Sequence, residues 1–416
     1  MKKIEKYTIG MGDRFTHQGV AQLSAVIQAQ EAGIDVYPVW NKSHREHQIV
    51  GTEPISLTNE AAAAVKELNW DKPYHVDADH IRMDTVSSFL EGSDFFTLDV
   101  SDAVGEPASS EEFEAWLHTM RPLIHQSNSG DTDSSGSAIS DDFLQKTASK
   151  YLRAAVQAGE LYRHIADQKD PDTFITELSI DETSEAQSPE ELWLILSMVA
   201  WQRIPIQTIA PKFTGRFNKG VDYIGNVDDF ARDFEADLDV IHQAIRIFGL
   251  PETLKISVHT GSDKFSLYPV MNRIIKAKDC GLHLKTAGTT WLEELIGLSE
   301  AGGEALEMAK EIYTKSYGQI DDLISRYQNV ISIDPAKLPV AEEIHSWDAQ
   351  RFAQTLRHEP GNEHYNPDFR QLLHVGFKVA ANMGERYQDA LRKHKSTIAK
   401  GVSYNLLERH ILPLYR

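Results

Sequence analysis

The chain places an acid directly before an imidazole in the stretch Tyr74-His75-Val76-Asp77-Ala78-Asp79-His80-Ile81. An ionised carboxylate is acceptor-only, and neutral imidazole is the commonest metal ligand. Asp79 followed by His80 therefore sets a proton acceptor beside a metal ligand, at what reads as the C-terminal end of a short buried strand. The same aspartate could also serve as the N-cap of a helix starting near Ile81. What decides between these readings is the company the pair keeps at other strand ends.

The elements that would bring such groups together alternate along the first two-thirds of the chain, as in a parallel sheet with helical crossovers. Strand-like runs occur at Tyr7–Met11, Val36–Trp40, the stretch ending at Ile81, Phe95–Val100, Phe174–Ile180, Ile206–Pro211, Leu254–His259 and Leu282–Lys285. Helical patterns lie between them: Val20–Ala32, Asn59–Leu68, about Met83–Leu90, and a helix opened by Ser188-Pro189-Glu190-Glu191 with an N-cap, a proline and an acidic first turn. Eight such strands predict a (β/α)₈ TIM barrel over 1–290. From 291 to 416 the pattern is helical, an extension expected to pack on the barrel. The serine-rich run near 127–137 has the composition of a mobile, solvated loop.

Composition bounds the function. The chain has 416 residues, 41% hydrophobic and 25% charged, which is ordinary globular composition with enough apolar residues for a large core. No apolar run reaches the ~18 residues of a membrane span. The N-terminus enters a strand-like run with no signal-peptide core, and Cys280 is the single cysteine, so a reducing, cytoplasmic setting is expected. A net charge of −20 argues against nucleic-acid or anionic-membrane partners. A small anionic substrate would need a local positive patch against that field. The composition is compatible with a homo-oligomer and does not specify one.

In a barrel of this kind, chemistry sits at the C-terminal ends of the strands. Those positions here carry Asp13, Arg14, Lys42, Asp77, Asp79, His80, Asp99, Glu177, Asp181, Glu182, Lys212, Arg216, His259, Asp263, Lys264 and Lys285. Groups like these are costly to bury unless paired or metal-bound. Asp79-His80 resembles the catalytic Asp and metal-binding His of the metal-dependent (class II) aldolases. His259-Thr260-Gly261-Ser262 resembles their late-strand metal ligand. A wider set of phrases resembles the tagaturonate epimerase family: Gly10-Met11-Gly12-Asp13-Arg14-Phe15, Pro38-Val39-Trp40-Asn41-Lys42, Val76-Asp77-Ala78-Asp79-His80, Ala210-Pro211-Lys212-Phe213-Thr214-Gly215, His259 to Ser266, His283 to Thr289, and Arg370-Gln371-Leu372-Leu373-His374. That resemblance spans nearly the whole chain. It implies interconversion of D-tagaturonate and D-fructuronate with a divalent metal, in bacterial hexuronate breakdown.

These ketouronates differ at the carbon β to the ketone, whose hydrogen the carbonyl does not acidify. Inversion there requires either oxidation and reduction with a nicotinamide, or retro-aldol cleavage and re-addition. No Gly-x-Gly-x-x-Gly turn follows a strand, so NAD is not expected. The aldol route needs a divalent metal as Lewis acid, an acid/base on each face, and cations for the carboxylate. The expected assignment is Asp79 and Glu182 as the acid/base pair, with Glu177 the rival to Glu182, and His80 and His259 as metal ligands. The third ligand is expected to be Asn226, ahead of Gln207, Glu177 and His283. Lys212, Arg216, Lys264 and Lys285 are the expected carboxylate-binding groups, and His374 lies where it could reach over the barrel mouth. Imidazole ligation suits Zn, Mn, Ni or Co. Rival readings are an aldolase that releases its fragments, an epimerase acting α to the ketone, a 4-epimerase of neutral ketoses such as fructose and tagatose, and a non-catalytic sugar-acid binding protein.

Overall fold

The computed structural model describes residues 2–126, 139–286, 289–327 and 329–416. Eight parallel strands close into a barrel in chain order: β1 (Tyr7–Gly12), β2 (Val36–Ser43), β3 (His75–Ile81), β4 (Phe95–Asp99), β5 (Ile175–Ser179), β6 (Thr208–Ala210), β7 (Lys255–His259) and β8 (Leu282–Lys285), which pairs back onto β1. The fold is a (β/α)₈ barrel with a helical C-terminal extension, as the sequence pattern predicts. The serine-rich run near 127–137 lies outside the described residues.

Local chemistry accounts for the crossovers. The helix Pro189–Trp201 starts with a complete capping box, in which Ser188 Oγ accepts from Glu191 N and the Glu191 side chain accepts from Ser188 N. The helix expected over about Met83–Leu90 is instead a single 3₁₀ turn, Val86–Ser88. Thr85 and Val86 are stiff at χ1, and the serines bond the local backbone, with Ser88 Oγ donating to Thr85 O. No helix caps on Asp79, which leaves its carboxylate available to the barrel.

The barrel interior departs from the branched aliphatic filling usual in this fold. Its lower end is plugged by Ile4, Val39, Phe95 and Ile175, an apolar cluster separate from the main core between strands and helices. Above the plug the interior is polar: Asp77, Thr97, Glu177, Thr208, Ser257 and His283 are all buried. The helix Thr289–Ala301 follows β8 and packs against β1, and the expected division at 290 falls in its first turn. Later helices wrap the barrel. Lys395–Tyr404 packs between Gly19–Glu31 and Thr289–Ala301, with Ser403 Oγ donating to Ala21 O at 2.7 Å. At the end of the chain, Tyr415 donates to Thr8 O at 2.9 Å. Among the described residues, no helix is long and apolar enough to cross a membrane.

Candidate active site

Alternation along β3 should point Asp77 and Asp79 inward and His80 outward. A register break changes that. Ala78 pairs with Phe96 and Ile81 with Leu98, so Asp79 and His80 together oppose the single residue Thr97. This is the two-against-one count of a β-bulge, and His80 adopts φ +52, a left-handed conformation uncommon for a residue with a Cβ. The bulge lets neighbouring residues serve one site. His80 Nδ1 lies 2.8 Å from Asp79 Oδ1, and the His80 ring sits 5.1 Å from the His259 ring, centroid to centroid.

Among the described residues, His80, Asp181 and His259 form a group whose ligand atoms lie within 4.8 Å of one another. His80 Nε2 is 3.6 Å from Asp181 Oδ1, and His259 Nδ1 is 3.2 Å from Asp181 Oδ2. Each imidazole is backed by a carboxylate on its far nitrogen. Asp79 takes His80 Nδ1, and Glu177 Oε1 lies 2.8 Å from His259 Nε2. Because a carboxylate can only accept, each of these bonds fixes the proton on the far nitrogen and leaves the near one for a ligand. Below them, the Lys285 ammonium reaches Asp77 at 2.8 Å, Asp79 at 3.0 Å and Glu177 at 2.9 Å, and donates to Thr97 at 2.8 Å. Thr97 and Thr208 in turn donate to Glu177.

The charges call for a further cation. Burial alone would raise all three carboxylates, yet Lys285 with His80 and His259 holds Asp79 below the usual carboxylate range, Lys285 with His259 does so for Glu177, and His259 with His80 does so for Asp181. With both imidazoles neutral, as metal ligation requires, these three carboxylates would face one ammonium. Asp77 beside them is pushed up to about 7 by burial, with Asp79 and Glu177 adding to it. Burial disfavours charge on His80 and His259, but their carboxylate neighbours raise both. His259 Nδ1 is buried, and its contact with Asp181 Oδ2 at 3.2 Å is not aligned as a hydrogen bond. A divalent metal on His80, Asp181 and His259 would satisfy that nitrogen and balance the excess acid, and the donor set fits one.

The other expected site residues are placed as follows. Asn226 is exposed and caps the helix Val227–Phe248, its Oδ1 accepting from Asp228 N at 2.9 Å, so Asp181 stands where Asn226 was expected. Gln207 is at the opposite end of the barrel, bonded to Ile4 N and Lys2 O. His283 points into the interior at the level of Thr8, with its Nδ1 2.9 Å from Thr8 Oγ1. Glu177 backs His259. Glu182 is exposed at the rim, where its charge acts on Arg82 and Lys219. Of the expected carboxylate binders, Lys285 lies at the centre of the acidic cluster. Lys212 donates to Thr183 O, and Lys264 is buried against Asn218 O and Ser262 Oγ, each at 3.0 Å. Arg216 is exposed on a loop whose backbone bridges to Ile224.

Period-two alternation would have found Asp181, since Glu177, Ser179 and Asp181 share one face of β5 and its extension, whereas Glu182 has the opposite parity. Arg14, Lys219 and His374, which meet at the mouth, come from segments too far apart for spacing to relate them.

A family model described as tagaturonate epimerase matches residues 1–411. A tagaturonate/fructuronate epimerase of Thermotoga maritima is 27% identical over 417 residues, covering 97% of this chain and 80% of that protein. Crystal structures of the fructuronate-tagaturonate epimerase of Cohnella laeviribosi share the fold. One, with two glycerols, aligns at TM-score 0.77 and 20% identity over 100% of this chain and 82% of that one. The native structure aligns at TM-score 0.75 and 21% identity, over 98% and 82%.

Proposed function

The chain belongs to the tagaturonate epimerase family, and we propose from this and from the His80–Asp181–His259 cluster that it interconverts D-tagaturonate and D-fructuronate. The cluster carries the reading. It lies at the C-terminal ends of β3, β5 and β7, where a barrel enzyme does its chemistry. A divalent metal held there would supply Lewis-acid polarisation of the substrate's ketone oxygen.

The protein's own groups then have separable tasks. Asp79 and Glu177 orient the two imidazoles, and Lys285 keeps both carboxylates ionised. Asp79 commits Oδ1 to His80 and Lys285, and neither bond uses Oδ2. That oxygen is the base in our reading. It takes the proton of the β-hydroxyl, and the electron pair of that O–H becomes the aldehyde carbonyl. The bond between the α and β carbons breaks, and its electrons pass to the enediolate of the other three-carbon fragment. The aldehyde fragment turns, the enediolate carbon attacks its other face, and the new alkoxide takes a proton from the opposite side. Glu182 at the rim is the proposed acid for that step. No atom is gained or lost, and no nicotinamide is needed.

The test is conversion of D-tagaturonate to D-fructuronate by the purified protein, after chelation and after adding back Zn, Mn, Ni or Co. Metal-restored epimerisation with the β-carbon hydrogen retained in deuterated water is the expected result. Net release of three-carbon fragments would make the protein an aldolase with the same residues. Solvent deuterium on the substrate carbon would replace the aldol route with deprotonation.

A further inference from the structure

Beside the metal cluster lies a second group of polar side chains that the reaction above leaves unused. Arg14 follows β1, Lys219 is on the loop after β6, and His374 ends the helix Pro367–Val375. With Glu46 they line a small cleft with about 20 Å³ of space, room for one small polar group and not for a sugar. It adjoins the cluster on two sides. Glu46 caps the helix after β2 through Ser43, which pairs in register with Asp79, and both Asp79 and Lys219 act on its charge. A Cβ built on Gly261, two residues past His259, would lie 4.0 Å from Lys219 Nζ.

The donors in this cleft are under-used. Arg14 gives Nε to Glu46 Oε1 at 3.0 Å, but its Nη1 is buried without a partner. Both ring nitrogens of His374 are buried without partners, at 1% exposure. Lys219 forms no ion pair with any described residue. An unsatisfied buried donor is costly, so an arrangement that holds several together points to a missing acceptor. The group is also held deliberately. Lys42 Nζ donates to Arg14 O at 2.6 Å, the Arg14 guanidinium lies 4.3 Å over the Phe377 ring, and Lys219 N donates to Val330 O at 2.7 Å. Burial, with Arg14 and Lys219 adding, keeps His374 neutral, so one of its nitrogens is a donor and the other an acceptor.

We propose that Arg14, Lys219 and His374 bind the carboxylate of the ketouronate and so select it over neutral ketoses. This rests on the function proposed above. A carboxylate whose carbon is two bonds from the inverted carbon is a group of the right size and charge for the cleft, and a planar guanidinium beside a point-charge ammonium suits it.

The experiment is calorimetric titration of the metal-loaded protein with D-tagaturonate and with D-tagatose, which carries a hydroxymethyl in place of the carboxylate. Wild type is compared with Arg14→Gln, Lys219→Met and, as a surface control, Arg386→Gln, with metal content and Tm recorded for each. Each cleft variant should weaken D-tagaturonate binding roughly 10- to 100-fold, the range for hydrogen bonds to charged groups. D-Tagatose binding and metal content should not move. Lys219 is on the rim, so its variant keeps the test open where the Arg14 variant folds poorly. Unchanged D-tagaturonate affinity in both variants overturns the proposal, as does an equal loss for D-tagatose. Inorganic phosphate binding more tightly than D-tagaturonate, and lost in both variants, would make the cleft a phosphate site instead. Failure of the functional reading shows separately, as a metal-loaded wild type that binds D-tagaturonate without epimerising it.

Discussion

At the scale of residues, the site separates groups that hold a metal from groups that hold the holders. Removing His80, Asp181 or His259 deletes a ligand atom, so His259→Ala and Asp181→Ala should lose stoichiometric metal and all turnover. Asp79→Asn and Glu177→Gln keep the shape but remove the negative partner of an imidazole. Loss of such a partner typically costs 10- to 100-fold in metal affinity, so these variants should refill at high metal concentration. Once refilled, Glu177→Gln should regain turnover and Asp79→Asn should not, because only Asp79 is also the proposed base. Asn226→Ala should leave metal content unchanged. Metal analysis across a concentration series reads all five, and metal loss in Asn226→Ala would sink the ligand set. Much of this was legible in the residue order. Asp79-His80 and His259 stand out as types, and the family's phrases surround them. Asp181 was readable from parity alone. The choice of Asn226 followed residue type where strand geometry decides. The tasks of Lys285 and Glu177 were not readable, because they depend on which interior groups face one another across the barrel.

At the scale of elements, the eight strands were legible because each is a short apolar run closed by polar residues. What the sequence does not show is the bulge in β3. No glycine marks it, and His80 takes a left-handed conformation that tertiary contacts must enforce. Nor does it show how the helical extension joins the site. That union is a buried network around Asp263, which accepts from Arg370 Nη2 at 2.6 Å and meets His358 Nδ1 and His410 Nε2, each at 3.1 Å. Arg370 also donates to Gly220 O and Leu356 O, both at 2.7 Å, which fixes the loop that carries Lys219. A Cβ on Gly220, at φ +79, would lie 3.3 Å from Arg370 O and His374 Cβ, so glycine is needed for this contact. Replacing Arg370 by methionine leaves Asp263 buried without its guanidinium, and breaking such a pair costs about 3–5 kcal/mol. Arg370→Met should therefore lower Tm sharply and raise KM for D-tagaturonate, while metal content stays near that of wild type. In the double variant with Asp263→Asn the stability loss should be less than the sum of the two single losses, since the residues share one network. Thermal unfolding of the four proteins measures the coupling, and strict additivity would show that the two side chains act independently.

At the scale of the whole molecule, an anionic substrate must reach a small positive cleft on a protein of net charge −20. The two fields differ in range. The cleft cations are few, partly buried and offset by Glu46, so they act over contact distances and are screened weakly. The surplus of 62 acidic over 42 basic residues is spread over the surface and acts at long range. Salt discriminates between them, because the Debye length falls from about 30 Å at 0.01 M to about 8 Å at 0.15 M. If repulsion by the molecule as a whole limits capture, kcat/KM for D-tagaturonate should rise over that interval of sodium chloride, while binding of neutral D-tagatose stays flat. Lys219→Met should lower kcat/KM at every salt concentration and keep the upward slope, since it removes the local attraction and leaves the surrounding field in place. Steady-state rates at fixed saturating metal across the series give both quantities. A downward slope in wild type that flattens in Lys219→Met would mean that the mouth of the barrel focuses a positive potential beyond the surface, and that substrate is drawn in from solution against the net charge.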